Sequence, residues 1–238
     1  MGWFGHSGDM GDIIYALPTI RAFGGGILYL YHQAGKTAHG MDVTKANSLA
    51  SLLLLQPYIE NVIFCPSGHP PNAPDHDLNG FRDHWKPGRN LADMHLATHG
   101  LGPEHRNEQW LTVDFSTPAQ PVIFARSLRY QNNNFPWSRI WQRFKTRAGF
   151  IGTCAEHRAF CEVVGWVPLI HTPDLRAVAR TIAECHLFVG NQSCPAAVAE
   201  GLKRPMILEV YPEQANCGFE RPGRIDGWDN TIDESIYL

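Results

Sequence analysis

Apolar and polar positions alternate in blocks along the chain. After Trp3-Phe4 and a glycine-punctuated turn, apolar residues recur at Ile13, Ile14, Ala16, Leu17, Ile20 and Phe23. That spacing predicts an amphipathic helix following a short strand. Gly24-Gly25-Gly26 ends it, residues 27–31 read as a strand, 45–56 as a helix and 62–65 as another strand. Strands and helices of these lengths in alternation predict a parallel sheet with crossover helices. From Pro66 to about Gly88 the chain is rich in Pro, Gly, His and Asp, the composition of a long functional loop. A helix near 91–99 and the apolar segment 110–113 follow. Pro118 and Pro121 bracket a linker, after which the alternation restarts. Strands are predicted at 122–125, 149–152, 187–189 and 206–210, and helices at 138–146, 156–164, 175–184 and 195–202. The pattern predicts an α/β protein with two Rossmann-like parallel-sheet domains, residues 1–118 and 119–225, facing a cleft. The acidic end, 226–238, is expected to form a strap crossing back to the first half.

Composition narrows the class. In 238 residues, 44% are hydrophobic and 18% charged, which excludes disordered and fibrous chains. The longest aliphatic run, from Leu49 to Leu55, is interrupted by Ala50 and Ser51 and is too short to cross a bilayer. No basic region followed by an apolar stretch opens the chain, and the 6 cysteines include no C-x-x-C pair. Reduced thiols and a cytoplasmic location are the expectation. The net charge of −3 argues against a protein that coats nucleic acid everywhere, while leaving room for a local basic groove.

Familiar signatures fail on inspection. Gly35-Lys36-Thr37 resembles the end of a phosphate-binding P-loop, but Leu30 stands where the first glycine is required. Gly5, Gly8 and Gly11 are spaced by three and miss the dinucleotide fingerprint. His95 and His99 lie one helical turn apart as a metal pair would, yet no third ligand is evident and no metal is expected.

Three stretches can carry chemistry. The turn from His6 to Asp12 joins a strand to a helix, placing amides and carboxylates at the C-terminal edge of the sheet, where open α/β folds bind ligands. Asp12 is either a helix N-cap or a general base. The segment Phe188-Val-Gly190-Asn191-Gln192-Ser193-Cys194-Pro195 repeats the strand–turn–helix pattern. A helix start of this kind favours a phosphate, with Ser193 adding a hydroxyl, although Asn and Ser also serve as ordinary caps. The third stretch, from Phe115 to Ala155, contains no Asp or Glu. It holds Arg126, Arg129, Arg139, Arg143, Lys145 and Arg147, interleaved with Tyr130, Phe135, Trp137, Trp141 and Phe144. Arg126 and Ser127 follow a strand, where they could meet a diphosphate. The remainder is either a solvated basic face or a groove for a phosphate-rich acceptor such as nucleic acid.

Taken together, these motifs resemble glycosyltransferase family nine, the heptosyltransferase-like enzymes of GT-B fold. Gly11-Asp12-Ile-Ile-Tyr-Ala-Leu17-Pro18 is similar to the family's Gly-Asp, apolar, Leu-Pro pattern, and residues 190–205 match its G-N-D-S-G-P-M-H-L-A-x-A-L-G-K-P without a gap. Phe150-Ile-Gly152-Thr-Cys-Ala-Glu156 looks like the family's strand–glycine–Glu segment. The resemblance implies Asp12 as general base, supported by Gly11. It implies donor-binding roles for Gly152, Asn191, Gln192, Ser193, Cys194 and Pro195, to which the strand-end reading adds Arg126 and Ser127. The chain departs from the pattern at Gln192, Cys194 and Ala197, where the family has Asp, Gly and His, so ADP-heptose is not assumed as donor. It is also about a hundred residues shorter than a typical member, which weakens the case for a lipid-saccharide acceptor. The expected activity is metal-independent transfer of a sugar from a nucleotide-sugar, a substrate rather than a cofactor. The acceptor hydroxyl would belong to a saccharide, a lipid-saccharide or a hydroxylated DNA base. The alternatives are a non-catalytic nucleotide-sugar binder and a sugar-nucleotide epimerase of similar fold.

Overall fold

A computed structural model of the chain describes residues 2–33, 40–86, 88–114 and 121–233. The Gly35-Lys36-Thr37 tripeptide, the 118/119 domain boundary and the last residues of the expected strap, 234–238, lie outside these. The chain divides into two compact units. One comprises Met1–Val113 with Asp174–Arg176, the other Asp114–Pro173 with Ala177–Leu238.

The first unit is built on β1 (Gly2–His6), β2 (Gly26–Tyr31), β3 (Ile59–Cys65) and β4 (His76–Asp77), in the order β3-β2-β1-β4. All pairings are parallel. Helices α1 (Met10–Ala22), α2 (Val43–Leu53) and α3 (Leu91–Thr98) complete it, with α1 packed on α3 and α2 on β3. The entry to β2 depends on glycine. Gly25 and Gly26 have φ of +84° and +153°, and a Cβ on Gly26 would lie 1.9 Å from Gly2 O. Only a residue without a side chain lets the strands approach in this way. The Leu175 and Arg176 N–H groups donate to Ser48 and Ser51 Oγ, which attaches residues 174–176 to this unit.

The second unit carries β5 (Val122–Ala125), β6 (Ala148–Phe150), β7 (Leu187–Asn191), β8 (Met206–Glu209) and β9 (Arg224–Gly227). Their order is β6-β5-β7-β8-β9, all parallel. Helices α4 (Trp137–Phe144), α5 (Cys154–Val164), α6 (Leu175–Ala183, its first residues in the first unit) and α7 (Cys194–Gly201) connect them. The strands VIFA, LFVGN and MILE are buried throughout, as continuous apolar runs must be in a sheet covered on both faces.

The sequence expectations need three corrections. Helix α1 begins at Met10 with Asp9 as its N-cap, so Asp12 is not the cap but the third helical residue. The apolar segment 110–113, to which the sequence assigned no element, runs as irregular chain with Trp110 and Leu111 buried. The long loop contains β4 and a 3-10 helix, Leu78–His84. Asp226 and Gly227, expected to open a strap, close β9 instead, and beyond them Arg139 binds Asn230 O and Ile232 O while Ile232 joins the second unit's core.

Of the five aromatics interleaved with the basic residues of the acid-free stretch, four are core and Tyr130 is half-buried. Phe135, Trp137, Trp141 and Phe144 are all buried in the core, packed around Phe124 and Phe160. Helix α4 is amphipathic, and its aromatic face packs into the core.

Candidate functional site

Each sheet has one place where the chain reverses its direction of strand addition. In the first unit the chain leaves β1 for β2 on one side and returns to β4 on the other. In the second it leaves β5 for β6 and returns to β7. The crevice beyond the carboxyl ends of such strands is the usual ligand position in open α/β sheets. Both sequence-derived loops, 6–12 and 190–195, lie at these positions.

At the first reversal, His6 ends β1 and is completely buried. Its Nδ1 accepts the Gly8 N–H at 2.8 Å, which bends the chain back on the ring. A Cβ on Gly8 would lie 2.5 Å from His6 Cε1 and 2.9 Å from Asp12 Oδ2, so glycine is what allows the turn to pass between ring and carboxylate. Asp12 Oδ2 accepts the Asp9 N–H and pairs with Arg82, each at 3.2 Å. The carboxylate thus completes the helix cap and stands at the strand ends, partly exposed. Gly11 precedes it on the first turn of α1.

Arg82 and its neighbours were not foreseen from sequence. Asn79 Oδ1 accepts the Ser7 N–H at 2.8 Å and the Ser7 hydroxyl at 2.7 Å, and Asn79 Nδ2 donates to the Tyr31 hydroxyl and to Asp77. Burial and the Asp77 carboxylate push the Tyr31 phenol above its ordinary range, so it stays protonated. Behind this polar edge, the rings of His6 and His95 lie 5.1 Å apart, and His95 stacks on Phe81 at 4.2 Å. Burial, aided by Arg82, lowers the His6 imidazole to about 3. Burial also holds His95 well below its usual value, with His6 and Arg82 adding to the effect. Both rings are neutral and turned inward, and among the described residues no group of His, Cys, Asp and Glu could hold a metal ion.

At the second reversal, Asn191 is completely buried at the end of β7. Its Oδ1 accepts the Ser127 N–H at 2.9 Å, and its Nδ2 lies 2.6 Å from Arg129 O and 3.1 Å from Ser127 O. Gln192 serves the loop beyond β8. Its Oε1 accepts the Tyr211 N–H at 2.7 Å, while its Nε2 donates to Gln214 O and Asn216 Oδ1. Ser193 is the N-cap of α7, yet its hydroxyl turns back to Asn191 O and leaves the first turn without a side-chain cap. Cys194 and Pro195 open α7, both half-buried. Pro195 has no N–H to offer a ligand.

Arg126 is a correction. It was expected to meet a diphosphate, but it is turned inward, with Nε and Nη2 bound to the two oxygens of fully buried Glu209 at 2.9 and 2.8 Å. Gly152 follows β6 with φ +146°, and a Cβ there would approach Glu156 Oε2 and the Phe150 ring, each at 3.0 Å. It shapes the entry to α5, where Thr153 and Glu156 form a reciprocal cap. Arg221 is likewise occupied, by buried Glu200. Burial pushes the Glu200 carboxyl up, but Arg224, Lys203 and Arg221 outweigh this and hold it below its ordinary value.

No protein-family model and no curated protein matches this chain. Solved structures do. A family 9 glycosyl transferase from Veillonella parvula aligns over 90% of this chain and 84% of its own, at 14% identity and a TM-score of 0.58. The E. coli heptosyltransferase WaaC, solved with ADP-2-deoxy-2-fluoro heptose, aligns over 94% and 91%, at 12% identity and a TM-score of 0.57. The iron-containing dodecameric glycosyltransferase TibC of E. coli gives 0.60 at 16% identity, over 94% of this chain and 61% of its own. The fold is that of the GT-B heptosyltransferases. Identities of this size carry the fold and not the activity. Among the described residues no helix is long and apolar enough to cross a membrane.

Proposed function

We propose that the chain is a metal-independent glycosyltransferase that moves a sugar from a nucleotide-sugar to a saccharide hydroxyl. One observation carries the reading: the two loops singled out by their residues occupy the strand-reversal positions of two parallel sheets, one offering a carboxylate and the other a helix start without a side-chain cap. The likeness to a transferase solved with an ADP-heptose analogue supports a donor of the nucleotide-sugar class. In the proposed step, Asp12 takes the proton of the acceptor hydroxyl as its oxygen attacks the anomeric carbon. The bond from that carbon to the diphosphate breaks, and its electron pair leaves on the diphosphate. The partial positive charge at the start of α7 meets this growing charge. Arg126, bound to Glu209, is not assigned to that task.

The test is turnover of ADP-, UDP- and GDP-sugars with saccharide acceptors, read as released nucleoside diphosphate. Asp12→Asn is expected to lower turnover about a hundred-fold or more, the usual contribution of a general base, with donor affinity nearly unchanged. Near-normal transfer by this variant would remove Asp12 from the role. A wild-type chain that binds donor without turnover would favour the non-catalytic binder, and interconversion of donors without acceptor would favour the epimerase.

A further inference from the structure

Two tyrosines meet at the loop end of the second sheet. Tyr130, in the loop after β5, and Tyr211, in the loop after β8, are half-buried, with ring centroids 5.8 Å apart and planes inclined at 50°. Each loop is tied to one member of the Asn191-Gln192 pair, since successive residues at a strand end face opposite ways. Asn191 binds Ser127 and the Arg129 carbonyl, fixing the chain into Tyr130. Gln192 accepts the Tyr211 N–H itself. The amides that hold the two rings in place therefore lead directly into Ser193 and the start of α7.

Tyr130 has φ +53°, a left-handed conformation that a bulky residue adopts where its surroundings impose it. Glycine would sit there without strain, yet an aromatic ring occupies the position. Strain of this kind concentrates at ligand loops. The Arg129 guanidinium lies 5.3 Å from the centre of the same ring, adding a cation to the aromatic surface.

We propose that Tyr130 and Tyr211 form the surface on which the base of a nucleoside diphosphate stacks, its phosphates directed to the start of α7. The proposal rests on the donor reading given above and deepens it, by naming the groups that distinguish a nucleotide from a bare diphosphate. Stacking on a ring tolerates any base, because every base presents a π face. The two rings therefore supply affinity for the nucleoside, and the choice among bases falls to contacts at the base edge.

Titration calorimetry on the full chain tests it, with ADP, UDP and GDP each compared with inorganic pyrophosphate. The wild type is expected to bind at least one nucleotide more tightly than pyrophosphate. Tyr130→Gly, which suits the backbone, should weaken that nucleotide about ten-fold or more while leaving pyrophosphate unchanged, and Tyr130→Phe should keep the affinity. Tyr211→Ala provides an independent removal of the second ring and should act in the same direction. Nucleotide affinity at the wild-type level in both Tyr130→Gly and Tyr211→Ala would overturn the platform and leave the donor site standing. A wild type that binds none of the three nucleotides better than pyrophosphate would overturn the donor reading itself.

Discussion

His6 sets the geometry of the first turn through a single ring nitrogen. Because Nδ1 accepts the Gly8 N–H, the ring must be neutral at that position, and protonation would replace an acceptor with a donor. His6→Asn keeps an acceptor near the place of Nδ1, whereas His6→Gln moves the amide toward the place of Nε2. The first should retain transfer within a few-fold and the second should lose about ten-fold or more, since Gly8 would no longer be held against Asp12. Stability has its own signature. The folded ring titrates at about 3 against an ordinary 6.5, so between these values the unfolded chain binds a proton that the folded one refuses. Stability is therefore complete above 6.5 and falls as the pH drops toward 3. His6→Asn should flatten the dependence by about one proton, as read from urea midpoints across this range; His95 retains its own contribution in the same direction. An unchanged slope would show that His6 does not titrate as described. Asp12 was legible because a carboxylate in a glycine turn before an apolar helix is conspicuous. Arg82 and Asn79 were not, since only the β1–β4 pairing brings them to Asp12 and Ser7 from some seventy residues away.

Among the elements, legibility followed length and apolar content. Strand β5 was read at its observed bounds, and α2 to α7 within about three residues at each end, because each shows a clear period or an unbroken apolar run. Strand β4 has two residues, His76 and Asp77, too few to show any period, and β9 reads Arg-Ile-Asp-Gly, with one aliphatic residue. Both are edge strands recruited by the sheet and not by their own pattern. Residues 110–113 show the converse, apolar enough for a strand but used to bury Trp110 without pairing. The Arg126–Glu209 pair belongs to this scale too. It links the ends of β5 and β8 across β7, and Glu209 Oε1 also accepts the Asn132 N–H at 2.7 Å. Arg126→Ala would leave a buried carboxylate unpaired and should cost about 3–5 kcal/mol in urea unfolding. The double change Arg126→Met with Glu209→Leu removes both charges and should recover much of that loss. If Arg126→Ala is neutral for stability but abolishes nucleotide binding, the arginine serves the ligand and not the sheet.

For the molecule as a whole, the repeat of strand–helix alternation on either side of a proline-bracketed segment made two α/β units legible, but nothing in that pattern identifies the acceptor. The charge distribution and the destinations of the aromatics bear on it. The chain is net negative, and the case for a nucleic-acid groove in its acid-free stretch depends on where Phe135, Trp137, Trp141 and Phe144 face. Those rings are core, Arg126 is committed to Glu209, and Arg139 binds the carbonyls of Asn230 and Ile232. What remains is a set of exposed cations with Tyr130, of the five interleaved aromatics, left outside the core, which is short of the succession of rings on which a single strand stacks base after base, and such faces are usually solvated. The saccharide reading therefore predicts little retention of duplex or single-stranded DNA in a gel shift near physiological salt. Any binding seen at low salt should be shallow in its salt dependence, because few phosphates would be neutralised. A protein that modifies a base must engage the flanking backbone, and each phosphate contact steepens the fall of log affinity with log salt by about 0.9. A slope several times that value, persisting with DNA that carries hydroxymethylated bases, would transfer the proposed acceptor from sugar to nucleic acid and leave the donor chemistry unchanged.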